Sequence, residues 1–237
     1  MLTNYSREGF LCLFTEFFCY NLFMKRIVIA THNPGKIIEY KEILSGYPLE
    51  LLLLNDLGIT DDPVEDGKTF EENAIKKANF YSGLIDRLAP RPLGPGSQSL
   101  CDLGILAEDS GLEIDYLNGE PGIHSRRWPG YKATDQELID TALNKLKGVP
   151  YEKRGAQFRV VMAYKEKLDG KLIIGEGIQR GIILEKPAAK IIPGFPFRSL
   201  FYVPELGKTL GEATMREEAK IAHRIIAIKN ILPHLLA

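Results

Sequence analysis

The passage from Ile27-Val28-Ile29-Ala30 into Thr31-His32-Asn33-Pro34-Gly35-Lys36 constrains this chain most. A continuous apolar, largely β-branched run that ends in polar residues predicts a buried strand entering a loop. Ile37 to Leu44 then carries helical spacing and stops at Ser45-Gly46, and Leu49 to Leu54 reads as a second strand. A strand-loop-helix-strand opening of this kind is the start of an α/β sheet.

The remainder continues that pattern. Thr69-Phe70-Glu71-Glu72 is a capping box in which Thr69 caps a helix and Glu72 reaches back to its backbone N–H, with the helix running to about Leu88. Residues 89–100, rich in Pro, Gly and Ser, predict a loop. Gly104 to Ala107 predicts a short buried strand that delivers Glu108-Asp109-Ser110-Gly111 at its C-terminal end. Thr134-Asp135-Gln136-Glu137 is a second capping box, opening a helix to about Lys147. Phe158 to Tyr164 and Lys171 to Leu184 predict a hairpin turning at Asp169-Gly170, and Arg216 to Leu232 a final helix. No repeat, low-complexity tract or clean linker interrupts the chain, which predicts one fold with two lobes.

Composition excludes some classes. The chain has 237 residues, 45% hydrophobic and 26% charged, as in ordinary globular proteins. Lys and Arg total 30 against 31 Asp and Glu, a net charge of -1. That balance argues against gripping long nucleic acid through bulk charge, though not against holding one nucleotide. Cys12, Cys19 and Cys101 form neither a disulfide framework nor a zinc pattern, which fits a reducing compartment such as the cytoplasm. Glu16 breaks the apolar pieces of residues 1–23, leaving no run long enough to span a bilayer. Met24 reads as a natural start, so residues 1–23 are expected to be an extension outside a single domain of residues 24–237. The other reading of that extension is an amphipathic anchor.

Four segments can carry chemistry. The Thr31–Lys36 loop places backbone N–H groups, a helix N-terminus and the Lys36 charge together, as a phosphate site would. It is not a Walker A loop, because Ile37 replaces the Ser/Thr after the lysine, and a plain structural turn fits it as well. Beside Glu65-Asp66-Gly67, Asn73 and Lys77 lie four apart on one helical face, suited to a polyphosphate or simply to water. Glu108 and Asp109 supply the hard oxygens Mg²⁺ prefers. Alternation along a strand lets only one of them face a cleft, and an acidic turn is the bland alternative. Lys220, His223 and Arg224 share a helical region, and on its own a His-Arg pair there is unremarkable.

Taken together, these segments resemble the inosine triphosphate pyrophosphatase family. Thr31 to Lys36, Thr69 to Ala74 with Lys77-Ala78, and Ala107 to Leu112 appear in the family's order. Leu117 to Ile123 with Ser125 and Arg127, Phe201 to Thr209, and His223-Arg224 extend the likeness from about Lys25 to the C-terminus. The resemblance implies a mixed twisted sheet with flanking helices, two lobes around a nucleotide cleft, and a homodimer. It implies Mg²⁺-dependent hydrolysis of ITP, dITP and XTP to the monophosphate and pyrophosphate. Thr31, Asn33 and Lys36, within the loop that also holds His32, Pro34 and Gly35, would hold phosphates with Lys77. Glu65 and Asp109 would serve Mg²⁺, Asp109 also acting as general base, while Ser110, Lys220, His223 and Arg224 would reach the nucleotide.

Three departures fall at the base end. Where the family has Gly-Phe-Gly-Tyr-Asp-Pro, this chain has Gly194-Phe195-Pro196-Phe197-Arg198-Ser199, so Phe195 and Phe197 remain to stack on a base but Arg198 reverses a charge. Glu218 stands at the family's lysine five before its His, and Ala222 at its Ser. Lys220, two residues on, would lie about 200° around a continuous helix from Glu218. The expected function is therefore a pyrophosphatase with altered base selectivity. The alternatives are a nucleotide-binding protein with little turnover and a hydrolase whose substrate is not a deaminated purine.

Overall fold

The computed structural model describes residues 24–88, 103–166, 170–218 and 221–237. The expected extension 1–23, the loop 89–100, Asp169 and Lys220 lie outside the described residues. Within them the strands are β1 (Lys25–Ile29), β2 (Leu49–Leu53), β3 (Gly104–Ile114), β4 (Gly155–Lys165), β5 (Leu172–Ile183), β6 (Phe201–Val203) and β7 (Lys208–Thr209). The helices are α1 (Pro34–Leu44), α2 (Phe70–Leu88), α3 (Asp135–Lys145), α4 (Met215–Glu218) and α5 (His223–Leu236). One mixed sheet runs β2-β1-β3-β4-β5-β6-β7, with β1 parallel to β2 and β3 and every later pairing antiparallel.

Helices cover both faces. Val28, Ile105, Ala107, Val161 and Ala163 pack against Phe70, Ala74, Ala78, Tyr81 and Ile85 of α2. On the opposite face Ile27, Ile29, Leu106, Val160 and Met162 meet Tyr40 and Leu44 of α1 and Ala227, Ile228 and Ile231 of α5. A further core gathers Leu112, Ile114, Ala156 and Ile183 with Leu138, Ile139 and Ala142 of α3. The long strands β3, β4 and β5 thus pass from one lobe's core into the other's. Among the described residues no helix is long and apolar enough to cross a membrane.

Three local expectations need correction. The strand expected to stop at Ala107 continues to Ile114, fully paired with β4 from Ile105 to Ile114. Ser110-Gly111 is therefore no turn. A Cβ at Gly111 would run into the Gly122 carbonyl oxygen and Ser125 Oγ, so this glycine permits close approach. Glu72 accepts from Lys68 N at 2.7 Å, one residue further back than its capping box requires, while Glu72 N donates to Thr69 Oγ1 at 3.1 Å.

The third correction concerns the final helix, which is two. α4 ends at Glu218, and Ala222 is extended (φ -60, ψ 136) before α5 begins at His223. A Cβ at Gly177 of β5 would run into the His223 carbonyl oxygen, so α5 starts flush on the sheet. The chain is off α4's course by Ala222 to reach that seat, and a single helical phase running from Glu218 to His223 does not apply.

Candidate active site

Backbone pairing of β1 with β3 ends at Leu106, and beyond it the loop after β1 and the start of α2 close on β3. Strand alternation sends Glu108 and Asp109 to opposite faces. Glu108, 2% exposed, meets Lys36 Nζ at 2.8 Å, Arg224 Nη2 at 2.7 Å and Nε at 2.9 Å, Tyr40 Oη at 2.5 Å and Ser110 Oγ at 3.1 Å. Burial alone would raise its carboxyl, but Arg224 and Lys36 outweigh burial and hold it well below the usual range.

Asp109, 7% exposed, faces α2. It accepts from Asn73 Nδ2 at 2.9 Å and lies 3.6 Å from Lys77 Nζ. Here burial dominates, and the carboxyl is raised. Asn73 Oδ1 also accepts from Gly67 N at 2.8 Å, which ties down the loop carrying Glu65. Lys77 Nζ meets Glu65 Oε1 at 2.5 Å and the Glu108 carbonyl at 3.1 Å. Burial works against the Lys77 charge, yet Asp109 and Glu65 raise its pKa. Burial likewise opposes Glu65 ionisation, and Lys77 with Arg127, whose Nη2 is 3.3 Å away, overrides it.

The loop before α1 is held by its own side chains. Asn33 caps the helix, its Oδ1 accepting from Gly35 N at 2.9 Å and Lys36 N at 3.4 Å, and Pro34 opens the first turn. Asn33 N donates to Thr31 Oγ1 at 3.2 Å. His32 turns aside, edge-on to Tyr81 at 6.5 Å with Nε2 3.9 Å from Asp62. The Phe195 ring lies on Gly35, where a Cβ would collide with it.

At the expected base end the placements are mixed. Phe197 is 5% exposed in the second lobe's core, edge-on to Trp128 at 6.1 Å, so its ring is not offered for stacking. The Arg198 guanidinium lies 5.1 Å from the Phe195 centroid. Arg224, expected to reach the nucleotide, is instead buried and spent on Glu108, on Glu39 at 2.9 Å and on Ser110 at 3.1 Å. His223 stacks on Phe158 at 5.5 Å, and burial followed by Arg224 holds its pKa well below the usual value. Sequence reasoning missed Glu39 and Tyr40, although their spacing of three and four from Lys36 puts them on its helical face. With Glu39 included, Lys36, Glu108, Arg224, Glu39, Arg198 and Glu218 form a ladder of alternating charge.

Two carboxylates, Glu65 and Asp109, converge on one ammonium, and both are hard oxygen donors. Mg²⁺ is commonly held by one or two carboxylates, its other positions going to water and phosphate, so this donor set fits it. Among the described residues no group of three His, Cys, Asp or Glu gathers as a closed metal cage would require.

The α1 N-terminus, Lys36, Lys77 and the carboxylates of Glu65, Glu108 and Asp109 thus gather around one stretch of β3 in a mixed α/β sheet. The chain belongs to the Ham1 family, which matches residues 27–234. It is 40% identical over 211 residues to a dITP/XTP pyrophosphatase of Thermoanaerobacter sp. (strain X514), covering 89% of this chain and 96% of the relative. It is 37% identical over 210 residues to the dITP/XTP pyrophosphatase of Bacillus subtilis (strain 168), with coverage of 89% and 96%. The structure of a HAM1 protein from Coxiella burnetii superposes with a TM-score of 0.71 at 32% identity, over 90% of this chain and 98% of that one. The Staphylococcus aureus Ham1 protein gives a TM-score of 0.69 at 33% identity, over 89% and 96%.

Proposed function

We propose that this protein hydrolyses purine nucleoside triphosphates such as ITP, dITP and XTP to the monophosphate and pyrophosphate, with Mg²⁺. The observation that carries the reading is the convergence of Glu65 and Asp109 on Lys77, at 2.5 and 3.6 Å. Glu65 and Asp109 would hold the cation, which when bound supplies charge neutralisation on the triphosphate. Lys77 and Lys36, whose charges both act on Glu65 and Asp109, would hold phosphate oxygens, Lys36 exchanging its contact with Glu108 for one with substrate. The α1 N-terminus adds a favourable field for an anion. Asp109 would take the proton of the water that attacks the α-phosphorus. The bond from that phosphorus to the bridging oxygen then breaks, and pyrophosphate leaves. Asn73 fixes the Asp109 carboxyl while this happens. The dITP/XTP pyrophosphatase activity of the relatives supports the same reading, as does family likeness for a cytoplasmic homodimer.

The test is pyrophosphate release from ITP, XTP, dITP, GTP and ATP with Mg²⁺, with chelator, and in Asp109→Asn. Release that needs Mg²⁺ and drops by about 10²–10⁴-fold in the variant is the expected result. Binding of a triphosphate without any Asp109-dependent release would instead make the protein a nucleotide binder.

A further inference from the structure

Glu65 reaches the site from a largely exposed strap, residues 60–66, strung between two buried points. At one end Ile59 is buried and its N–H meets the Leu54 carbonyl at 3.0 Å, and at the other Asn73 holds Gly67 N. Between them, among the described residues, side-chain hydrogen bonds and ion pairs come from Asp62, Glu65 and Asp66 alone. Asp61, Asp62, Glu65 and Asp66 are all acidic, so the strap's own side chains repel one another and do not seat it. Its seat is one face of α2. Asn73, Lys77 and Tyr81 recur every four residues there, and they hold Gly67, Glu65 and Asp62 in that order.

Tyr81 is the rung of this face with no part in the chemistry described above. The side chain is buried, and its Oη donates to Asp62 Oδ1 at 2.9 Å. Burial, followed by Asp62, pushes the phenol up, so it stays a donor. The same Asp62 oxygen lies 3.9 Å from His32 Nε2, a buried atom of the loop before α1 that has no hydrogen-bond partner. Asp62 is thus the point where the strap meets both α2 and that loop. Pro63 fixes its own φ and confines Asp62 to extended backbone, so little slack separates Asp62 from Glu65. We propose that Asp62 is a positioning residue for the cation, its bond to Tyr81 fixing where Glu65 presents its carboxylate beside Asp109. This rests on the metal-dependent reading above. The Asp62 side chain is itself 72% exposed, so the bond adds little to the fold and its worth lies in that placement.

The deciding experiment titrates Mn²⁺, a paramagnetic stand-in for Mg²⁺, into the full chain without nucleotide and follows the free ion by electron paramagnetic resonance. Asp62→Ala and Tyr81→Phe should each weaken binding by about tenfold, and the double variant no further, since both break one contact. Asp62→Asn drops the charge but keeps an oxygen for Tyr81, and should bind within about twofold of wild type. The Mg²⁺ concentration that half-activates ITP hydrolysis should rise in step, with a much smaller fall in kcat at saturating Mg²⁺. If Mn²⁺ binds only with substrate present, these half-activating concentrations decide. A merely structural role would show as a lower Tm, without rescue by Asp62→Asn. Wild-type cation affinity in Tyr81→Phe overturns the proposal. So does Asp62→Asn as weak as Asp62→Ala, because charge and not position would then be at work. Wild type that neither binds Mn²⁺ nor hydrolyses any triphosphate would instead remove the metal-dependent reading beneath it.

Discussion

Asn73 donates to Asp109 at 2.9 Å and, through its other side-chain atom, accepts from Gly67 N at 2.8 Å. One buried amide thereby fixes the candidate base and the loop that brings Glu65. Asn73→Ala should lower kcat by about 10–100-fold with a much smaller change in KM, since the partner that orients a ligating group is lost while the phosphate contacts stay. Steady-state kinetics with ITP measures this, and an unchanged kcat would remove Asn73 from the site's architecture.

Glu39 holds Arg198 at 2.7 Å and Arg224 at 2.9 Å. Glu39→Ala would leave two largely buried guanidinium groups facing each other without their shared counter-ion. The expected cost is roughly 3 kcal/mol in urea unfolding, near the low end for breaking a buried pair because Glu39 itself is partly solvated. A cost under about 1 kcal/mol would mean that the guanidinium groups find water instead.

Two glycines should respond in opposite directions. Gly177→Ala would drive a methyl into the His223 carbonyl oxygen and toward Ala227 N, both backbone atoms that cannot step aside, and should destabilise by about 1–3 kcal/mol. Gly83 lies inside α2 with nothing within 4 Å of the added Cβ. Gly83→Ala should stabilise by about 0.5–1 kcal/mol through helix propensity. Thermal melts of both variants check the pair, and equal effects would contradict the packing described.

His223 gives a signed pH dependence. Burial and Arg224 depress its folded-state pKa well below 6.5, so the unfolded chain binds the proton more readily. Its contribution to stability is complete above pH 6.5 and is lost as pH falls toward the folded value. Across that window the loss is about 1.4 kcal/mol per pH unit, or roughly 3–5 °C in Tm. His223→Gln should flatten this slope between pH 6.5 and 5.5. A parallel slope in wild type and variant would assign the effect to other groups.

Much of this was legible in the sequence because the signals were local. The apolar run of β1, the stop of α1 before Ser45-Gly46 and the Thr134 capping box depend on neighbours within four residues, and the structure places them where the pattern does. Ser110-Gly111 misled because its glycine answers to Gly122 and Ser125 across the fold rather than to a turn. The break at Ala222 carries no Gly or Pro, since the cause lies in Gly177 of another strand. Phe197 is hidden by Trp128, distant in sequence. Arg198 and Glu218 read singly as two lost groups, and only the fold joins them as a matched pair.

β3, β4 and β5 run 11, 11 and 12 residues without a break beneath both cores. Halves joined by a linker swing like a door, whereas these share a spine. Any tightening around a nucleotide must therefore be a small torsion spread along three hydrogen-bonded strands, with Glu108 and Asp109 riding on the twisting element itself.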